Sequence, residues 1–210
     1  MKIDAKGYMD YVAKVAQKLA DNRDYVTELD SVTGDGDHWV NMDLGFRKLL
    51  EQRSTLEALS LGELFKKIGM LVMSTVGGSS GVLYGSAYIK ASQAIGQRES
   101  LDVPLLAEVL GAMLDAIMAR GGAKPGFKTM IDPLYQGLEA MKAALAVGKG
   151  DRAALDALRA GSIAGMEATK AMEAVKGRAT YRTDKGVGHL DPGAVTMCYQ
   201  LQVLADCFSS

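Results

Sequence analysis

Disulfide chemistry is nearly closed to this chain, whose only cysteines are Cys198 and Cys207. Both fall in a C-terminal stretch of helical character. Nine residues apart on one helix, at about 100° per residue, they point to opposite faces and cannot bridge. No zinc spacing is present, so the sequence predicts two buried thiols in a reducing, cytoplasmic setting. Long apolar runs are missing as well. No stretch approaches the roughly 20 residues that span a bilayer, and Met1-Lys2-Ile3-Asp4-Ala5-Lys6 leads into no apolar core of a signal peptide. Neither sign of charge dominates: 24 Lys and Arg stand against 25 Asp and Glu, with no like-charged block. That argues against direct nucleic-acid binding and against a membrane-surface tract. Aromatics are scarce at 6%. No run alternates apolar and polar residues with β-branched enrichment, so no sheet is expected.

What is present is helical period. Tyr8, Val12, Val15, Ala16 and Leu19 recur at spacings of three and four, as an amphipathic helix requires. The pattern returns in 44–50, 61–73, 105–117, 130–145 and from Leu155 onward. Alanine and methionine abound, which suits close helix packing. Glycine clusters punctuate the helices. Gly77-Gly78-Ser79-Ser80-Gly81 offers Ser79 or Ser80 as an N-cap, and Asp151 after Gly148-Lys149-Gly150 offers another. The longest irregular stretch, 177–193, exceeds what a connector needs, and such loops usually carry function. No linker composition divides the chain. One all-α bundle of about eight helices over residues 1–210 is the expectation.

The densest chemistry lies in Asp30-Ser31-Val32-Thr33-Gly34-Asp35-Gly36-Asp37-His38. Three carboxylates at this spacing converge only if the backbone curls, and Gly34 and Gly36 permit the curl. Held close, like charges repel unless neutralised. A hard divalent cation does this best, so Asp30, Asp35 and Asp37 are candidate ligands for Mg²⁺, Ca²⁺ or Mn²⁺, with Mg²⁺ preferred. A solvated acidic loop is the plainer alternative, but it does not account for the alternating glycines or for His38 and Asn41 close behind. An EF-hand fails on register. Counted from Asp30, the sixth position is Asp35 instead of glycine; counted from Asp35, the twelfth is Phe46 instead of glutamate.

Glycine-rich turns that open helices attract anions, because free N–H groups and the helix dipole point outward. The 77–81 turn is therefore a candidate phosphate site as well as a plain helix–helix turn. Lys128-Thr129 invites comparison with a Walker motif, but Phe127 stands where that motif needs glycine and no strand precedes it. His38 sits beside the acids, where a functional role competes with a structural one. Asp191-Pro192-Gly193 reads as an N-cap followed by proline at the first helical position, and it can also touch a ligand. Arg178 can pair with a phosphate, although a solvated arginine is commoner.

Taken in order, four segments resemble one family. They are Gly34-Asp35-Gly36-Asp37-His38-x-x-Asn41-Met42, Gly77-Gly78-Ser79-Ser80-Gly81, Pro125-Gly126-x-Lys128-Thr129-Met130-x-Asp132 and Gly188-His189-x-Asp191-Pro192-Gly193-Ala194. The family is the nucleotide-binding L subunit of dihydroxyacetone kinase, and the likeness spans essentially the whole chain. It implies a barrel of antiparallel helices with Mg-nucleotide at one rim. Asp30, Asp35 and Asp37 would hold two Mg²⁺ ions. Nucleotide contacts would map to His38, Trp39, Val40 and Asn41, to Ser79 and Ser80, to Gly121, Met130 and Arg178, and to Asp191, Pro192 and Gly193. His38 and Arg178 would be the catalytic pair.

The resemblance is to the bacterial phosphotransferase-dependent form. There ADP is retained, a phosphohistidine on an M-type subunit rephosphorylates it, and the resulting ATP phosphorylates dihydroxyacetone on a K-type subunit. A direct ATP-dependent kinase, or a nucleotide-sensing partner of a transcription regulator, are the alternatives. Phosphoryl transfer needs positioning and charge neutralisation more than covalent help, which suits a chain with no obvious nucleophile. Two residues depart from the family pattern. Trp39 replaces a usual glycine, next to the metal and nucleotide, where it would stack on a ligand or pack against a partner. Phe127 replaces a common aspartate. Together they leave the acceptor as dihydroxyacetone or a related small hydroxyketone.

Overall fold

The computed structural model describes residues 1–209. Among the described residues there are ten α-helices: α1 (Ala5–Asp21), α2 (Arg23–Thr33), α3 (His38–Glu51), α4 (Arg53–Leu56) and α5 (Leu61–Thr75). Then follow α6 (Gly78–Ile95), α7 (Val103–Gly121), α8 (Ile131–Ala146), α9 (Gly150–Ala168) and α10 (Pro192–Ser209). Eight of them close a ring. α1 packs on α3, α3 on α5, α5 on α6, and α7 to α10 follow in sequence until α10 returns to α1. Short connections, such as Val76-Gly77 between α5 and α6, force neighbours to run antiparallel.

The all-α expectation is borne out, with two helices more than expected. α2 buries only Val26, Asp30 and Thr33, too few apolar positions to show a period. α4 is a single turn of four residues. The fold also contains a small sheet that the sequence did not announce. Lys2–Ile3 pairs antiparallel with Leu101–Asp102, Ile3 opposite Leu101. Two residues cannot display alternation, and the burial of Ile3 and Leu101 is what seats them.

Missing side chains set how closely the ring packs. A Cβ on Gly161 of α9 would come within 2.6 Å of the Gln136 carbonyl of α8, and one on Gly165 within 2.5 Å of the Asp132 carbonyl. Inside the ring, Met9, Val12, Phe65, Ile68, Ala91, Ile95, Leu138 and Leu201 form one continuous apolar core. Each large aliphatic or aromatic side chain there contributes about 1.5–3 kcal/mol by leaving water.

Side chains cap several helix starts. Asp4 accepts from the Gly7 N–H, Ser60 and Glu63 form a capping box, and Asp102 accepts from Leu105. Asp191 caps α10 as expected, its Oδ2 accepting from the Ala194 N–H at 2.7 Å with Pro192 at the first helical position. Two expected caps are corrected. The residue before α6 is Gly77, with no side-chain bond, and Ser79 and Ser80 lie inside the first turn. α9 starts at Gly150, so Asp151 is already helical and favours the helix dipole there. Both cysteines lie on α10 and are free; Cys198 is buried, but Cys207 is only half-buried.

Candidate functional site

The acid turn is built by α2 ending and α3 beginning within five residues. Asp30, in the last turn of α2, is 7% exposed, and its Oδ2 accepts the His38 backbone N–H at 2.9 Å. That bond folds the turn back on itself. Gly34 donates its N–H to the Asp30 carbonyl, and a Cβ there would fall 2.2 Å from Asp30 Oδ1, so any other residue would displace the Asp30 carboxylate. Gly36 takes φ +77, in the left-handed region that suits glycine. The result is the expected convergence: oxygen atoms of Asp30, Asp35 and Asp37 lie within 4.8 Å of one another.

These acids form one wall of a cleft of about 920 Å³ at one end of the ring. His38 and Asn41 extend that wall. Ser79 and Ser80 open α6 in the same cleft, just after Gly77, which lies against Asn41; the first turn of α6 has no side-chain cap, so its leading N–H groups are available to an anion. Gly121 at the end of α7, Met130 before α8, Ile117 and Leu83 also line it. Arg178 and the Asp191-Pro192-Gly193 turn border the same space. Residues far apart in sequence thus meet around one space.

Trp39 and Val40 are not among the cleft residues. Trp39 faces the interior, 7% exposed among Val26 and Val195; its Nε1 donates to the Leu19 carbonyl at 2.8 Å and the Arg23 guanidinium sits 4.9 Å above its ring. The expected stacking on a ligand or partner is therefore corrected. The helical turn after Asp37 rotates residue 39 away from the acids, and no glycine-only backbone angle is needed there. Val40 is 55% exposed on the outer face of α3. Phe127 sits under the Lys124 ammonium, 5.4 Å from its ring centre, and its carbonyl accepts from Val175.

The electrostatics of the cleft are polarised. Desolvation lowers the His38 pKa, against the opposing pull of Asp30 and Asp37. Its Nε2 lies 2.9 Å from Thr196 Oγ1, whose hydroxyl also reaches the Gly193 carbonyl. Burial pushes Asp191 up to about 7; the Ala194 N–H and Lys128 oppose the shift, and Asp132 and Asp30 add to it. Arg178 reaches across from a short 3₁₀ turn to Asp35, Nη2 to Oδ2 at 2.5 Å.

Sequence reasoning passed over Lys128 and Asp132 as chemistry. Asp132 is buried and accepts from the Gly126 and Thr129 N–H groups at 2.5 and 2.7 Å, which shapes the 125–130 turn. Lys128 is 1% exposed in a left-handed backbone conformation, φ +60. Two signals pointed to them: a lysine in a glycine-rich turn, which the Walker comparison discards, and the place of both residues in the 125–132 family segment, which assigned them no role.

The donor set consists of oxygens, two of the three acids are exposed, and uncapped helical N–H groups share the cleft. That arrangement fits a small hard cation that keeps some of its waters and shares phosphate oxygens. The family model of the DAK2 domain matches residues 32–206. The chain belongs to the DAK2-domain family, and its likeness to dihydroxyacetone kinase L subunits is borne out. It is 32% identical over 205 residues to the ADP-binding subunit of the PEP-dependent dihydroxyacetone kinase of Escherichia coli, covering 98% of both chains. It is 34% identical over 198 residues to the corresponding PTS-dependent subunit of Lactococcus lactis, covering 94% of this chain and 95% of that one. Among solved structures, the dihydroxyacetone kinase of C. freundii in complex with AMP-PNP and Mg²⁺ superposes with a TM-score of 0.70 at 28% identity over 94% of this chain. The chain spans about a third (33%) of that larger kinase. No helix among the described residues is long and apolar enough to cross a membrane.

Proposed function

We propose that residues 1–210 form one nucleotide-holding domain that relays a phosphoryl group from a phosphohistidine M-type subunit to a small hydroxyketone on a K-type subunit. Dihydroxyacetone is the acceptor this reading favours. ADP/ATP with two Mg²⁺ would be the retained cofactor, and the reaction would run in the cytoplasm. The observation that carries the reading is the meeting of Asp30, Asp35 and Asp37 within 4.8 Å, in the same cleft as the uncapped start of α6.

The roles follow from chemistry. Asp30, Asp35 and Asp37 would hold the cations, which when bound neutralise carboxylate and phosphate charge together. The first-turn N–H groups at Ser79 and Ser80 would receive phosphate oxygens. Met130 and Gly121, with Ile117 and Leu83, would bound the apolar part of the nucleotide. Asp191, Pro192 and Gly193 would close the rim beside it. Arg178 would stabilise charge on the transferring group, as a guanidinium does well. His38, held by Thr196 and by the Asp30 carboxylate, would present a neutral imidazole to the phosphates. The substrate would sit on the K-type partner, so this chain would need no sugar site of its own.

The test is retention. Protein purified without added nucleotide, passed through gel filtration and then denatured, should release one ADP or ATP per chain. A site that comes off empty and exchanges free ATP within seconds would indicate a direct ATP-dependent kinase. A bound nucleotide from which no label reaches a K-type partner would favour a nucleotide-sensing role beside a transcription regulator.

A further inference from the structure

We propose that Lys128 is a positioning residue, whose ammonium staples the neck of the 170–189 loop and so aims Arg178 across the cleft at the acid turn. The inference rests on the reading of this cleft as a Mg-nucleotide site.

Lys128 Nζ donates to two backbone carbonyls, Thr169 at 2.5 Å and His189 at 2.6 Å. The first lies where the chain leaves α9 and the second just before it enters α10. One buried cation therefore ties together the two ends of the long loop. The rungs above it are backbone bonds, Gly188 N–H to the Lys170 carbonyl at 2.8 Å and Ala174 N–H to the Lys185 carbonyl at 2.9 Å. The loop also rests on the lysine stem: a Cβ on Gly186 would meet Lys128 Cε at 3.0 Å.

Beyond this neck the loop reaches the opposite wall at two points. Arg178 pairs with Asp35, and Arg182 Nη1 donates to the Val32 carbonyl at 2.6 Å. Both partners belong to the acid turn or the helix end that leads into it. Between these points the loop body is held by the Val175 N–H on the Phe127 carbonyl and by burial of Ala174 and Ala179, while Tyr181 is 87% exposed and Val175 and Val187 are exposed. The neck fixes where this stretch leaves the ring and returns to it, and so bears on where Arg178 points.

Lys128 bears two costs that a connector would not carry. A non-glycine residue at φ +60 is strained, and an ammonium withdrawn from water is unfavourable unless hydrogen-bonded. Burial also pulls its pKa down, against Asp191, Asp132 and Asp184. Charge-assisted bonds to two carbonyls are strong enough to offset both. A glycine would relieve the strain and lose the staple.

The experiment compares hydrogen exchange and nucleotide release in wild type, Lys128→Met, Lys128→Gln and Arg178→Ala. In Lys128→Met the Ala174 and Gly188 amides should exchange about tenfold faster or more, while amides within α8 and α9 keep wild-type rates. Mg-ADP should leave faster, and the same change in an Arg178→Ala background should add less than about twofold, because the two residues act in series. Lys128→Gln, which keeps two N–H donors on a side chain one bond shorter, should fold and fall between the two; it serves if the methionine variant does not fold. Unchanged loop amides with faster nucleotide release would make Lys128 a direct ligand contact and overturn the proposal. Uniform loss of protection across the helices would overturn it equally. Wild-type protein that binds no Mg-ADP would defeat the nucleotide reading alone, since the exchange comparison needs no ligand.

Discussion

The Arg178 guanidinium lies 2.5 Å from the Asp35 carboxylate, joining the long loop to the acid turn between residues 143 positions apart in the chain. Both side chains are substantially exposed, so the pair adds at most about 1 kcal/mol to folding. Its importance lies in placement. Arg178→Ala should leave the unfolding midpoint within about 4 °C of wild type. Mg-ADP should nonetheless dissociate at least about tenfold faster, as loss of a charge-assisted phosphate contact implies. Stopped-flow displacement with excess ATP measures this, and an unchanged rate would remove Arg178 from the site.

Cation removal should act through the acids. At nucleotide and Mg²⁺ concentrations about 100-fold above Kd, ADP should stabilise the fold by about 2.7 kcal/mol. Chelation by EDTA should erase the shift. Asp35→Asn should do the same with Mg²⁺ present, because it removes one of the three converging carboxylates. A full ADP shift in the variant would refute a metal role for that residue.

Gly34→Ala tests the curl itself. Its Cβ would fall 2.2 Å from Asp30 Oδ1, so the Asp30 carboxylate must leave the cluster and its bond to the His38 N–H. The expected outcome is loss of nucleotide retention with the helical circular-dichroism signal intact. Retention equal to wild type would show that Asp30 is dispensable.

Trp39 separates stability from binding. Trp39→Phe deletes the Nε1 bond to the Leu19 carbonyl and should cost about 1–2 kcal/mol in urea unfolding. Its effect on Mg-ADP dissociation should be under about twofold, since Trp39 does not border the cleft. A large change in dissociation would restore the ligand-stacking role.

Asp191 sets a pH dependence in the ligand-free protein. Its pKa is raised to about 7 by burial, so between its ordinary value near 4 and pH 7 the folded chain holds a proton that the unfolded chain has released. Its contribution to stability is therefore full below about pH 4 and is lost as pH rises through about 7. Asp191→Asn, which keeps an acceptor for the Ala194 N–H, should flatten that part of the stability–pH curve. Parallel curves for the two proteins would contradict the shift.

Much of this was legible in the residues. Periods of three and four marked the large helices, because burial selects one face of a helix and leaves its trace in order. The acid turn was legible because its glycines and carboxylates are neighbours, so local backbone freedom alone brings them together. α2 and the Lys2–Ile3 ladder were not, because two or three buried positions cannot display a period. Trp39 misled for a related reason. Adjacency to Asp37 suggests the same environment, yet the first turn of α3 carries successive side chains about 100° apart.

The sequence by itself determined the all-α class, the convergence of Asp30, Asp35 and Asp37, and the cap at Asp191, since each follows from contacts within a few residues. Only the tertiary structure decided that Trp39 belongs to the interior, that Arg178 meets Asp35, and that the Lys128 ammonium closes the loop between Thr169 and His189. Those relationships depend on how the ring of helices closes, and ring closure is fixed by packing across the whole core, which no local stretch of sequence records.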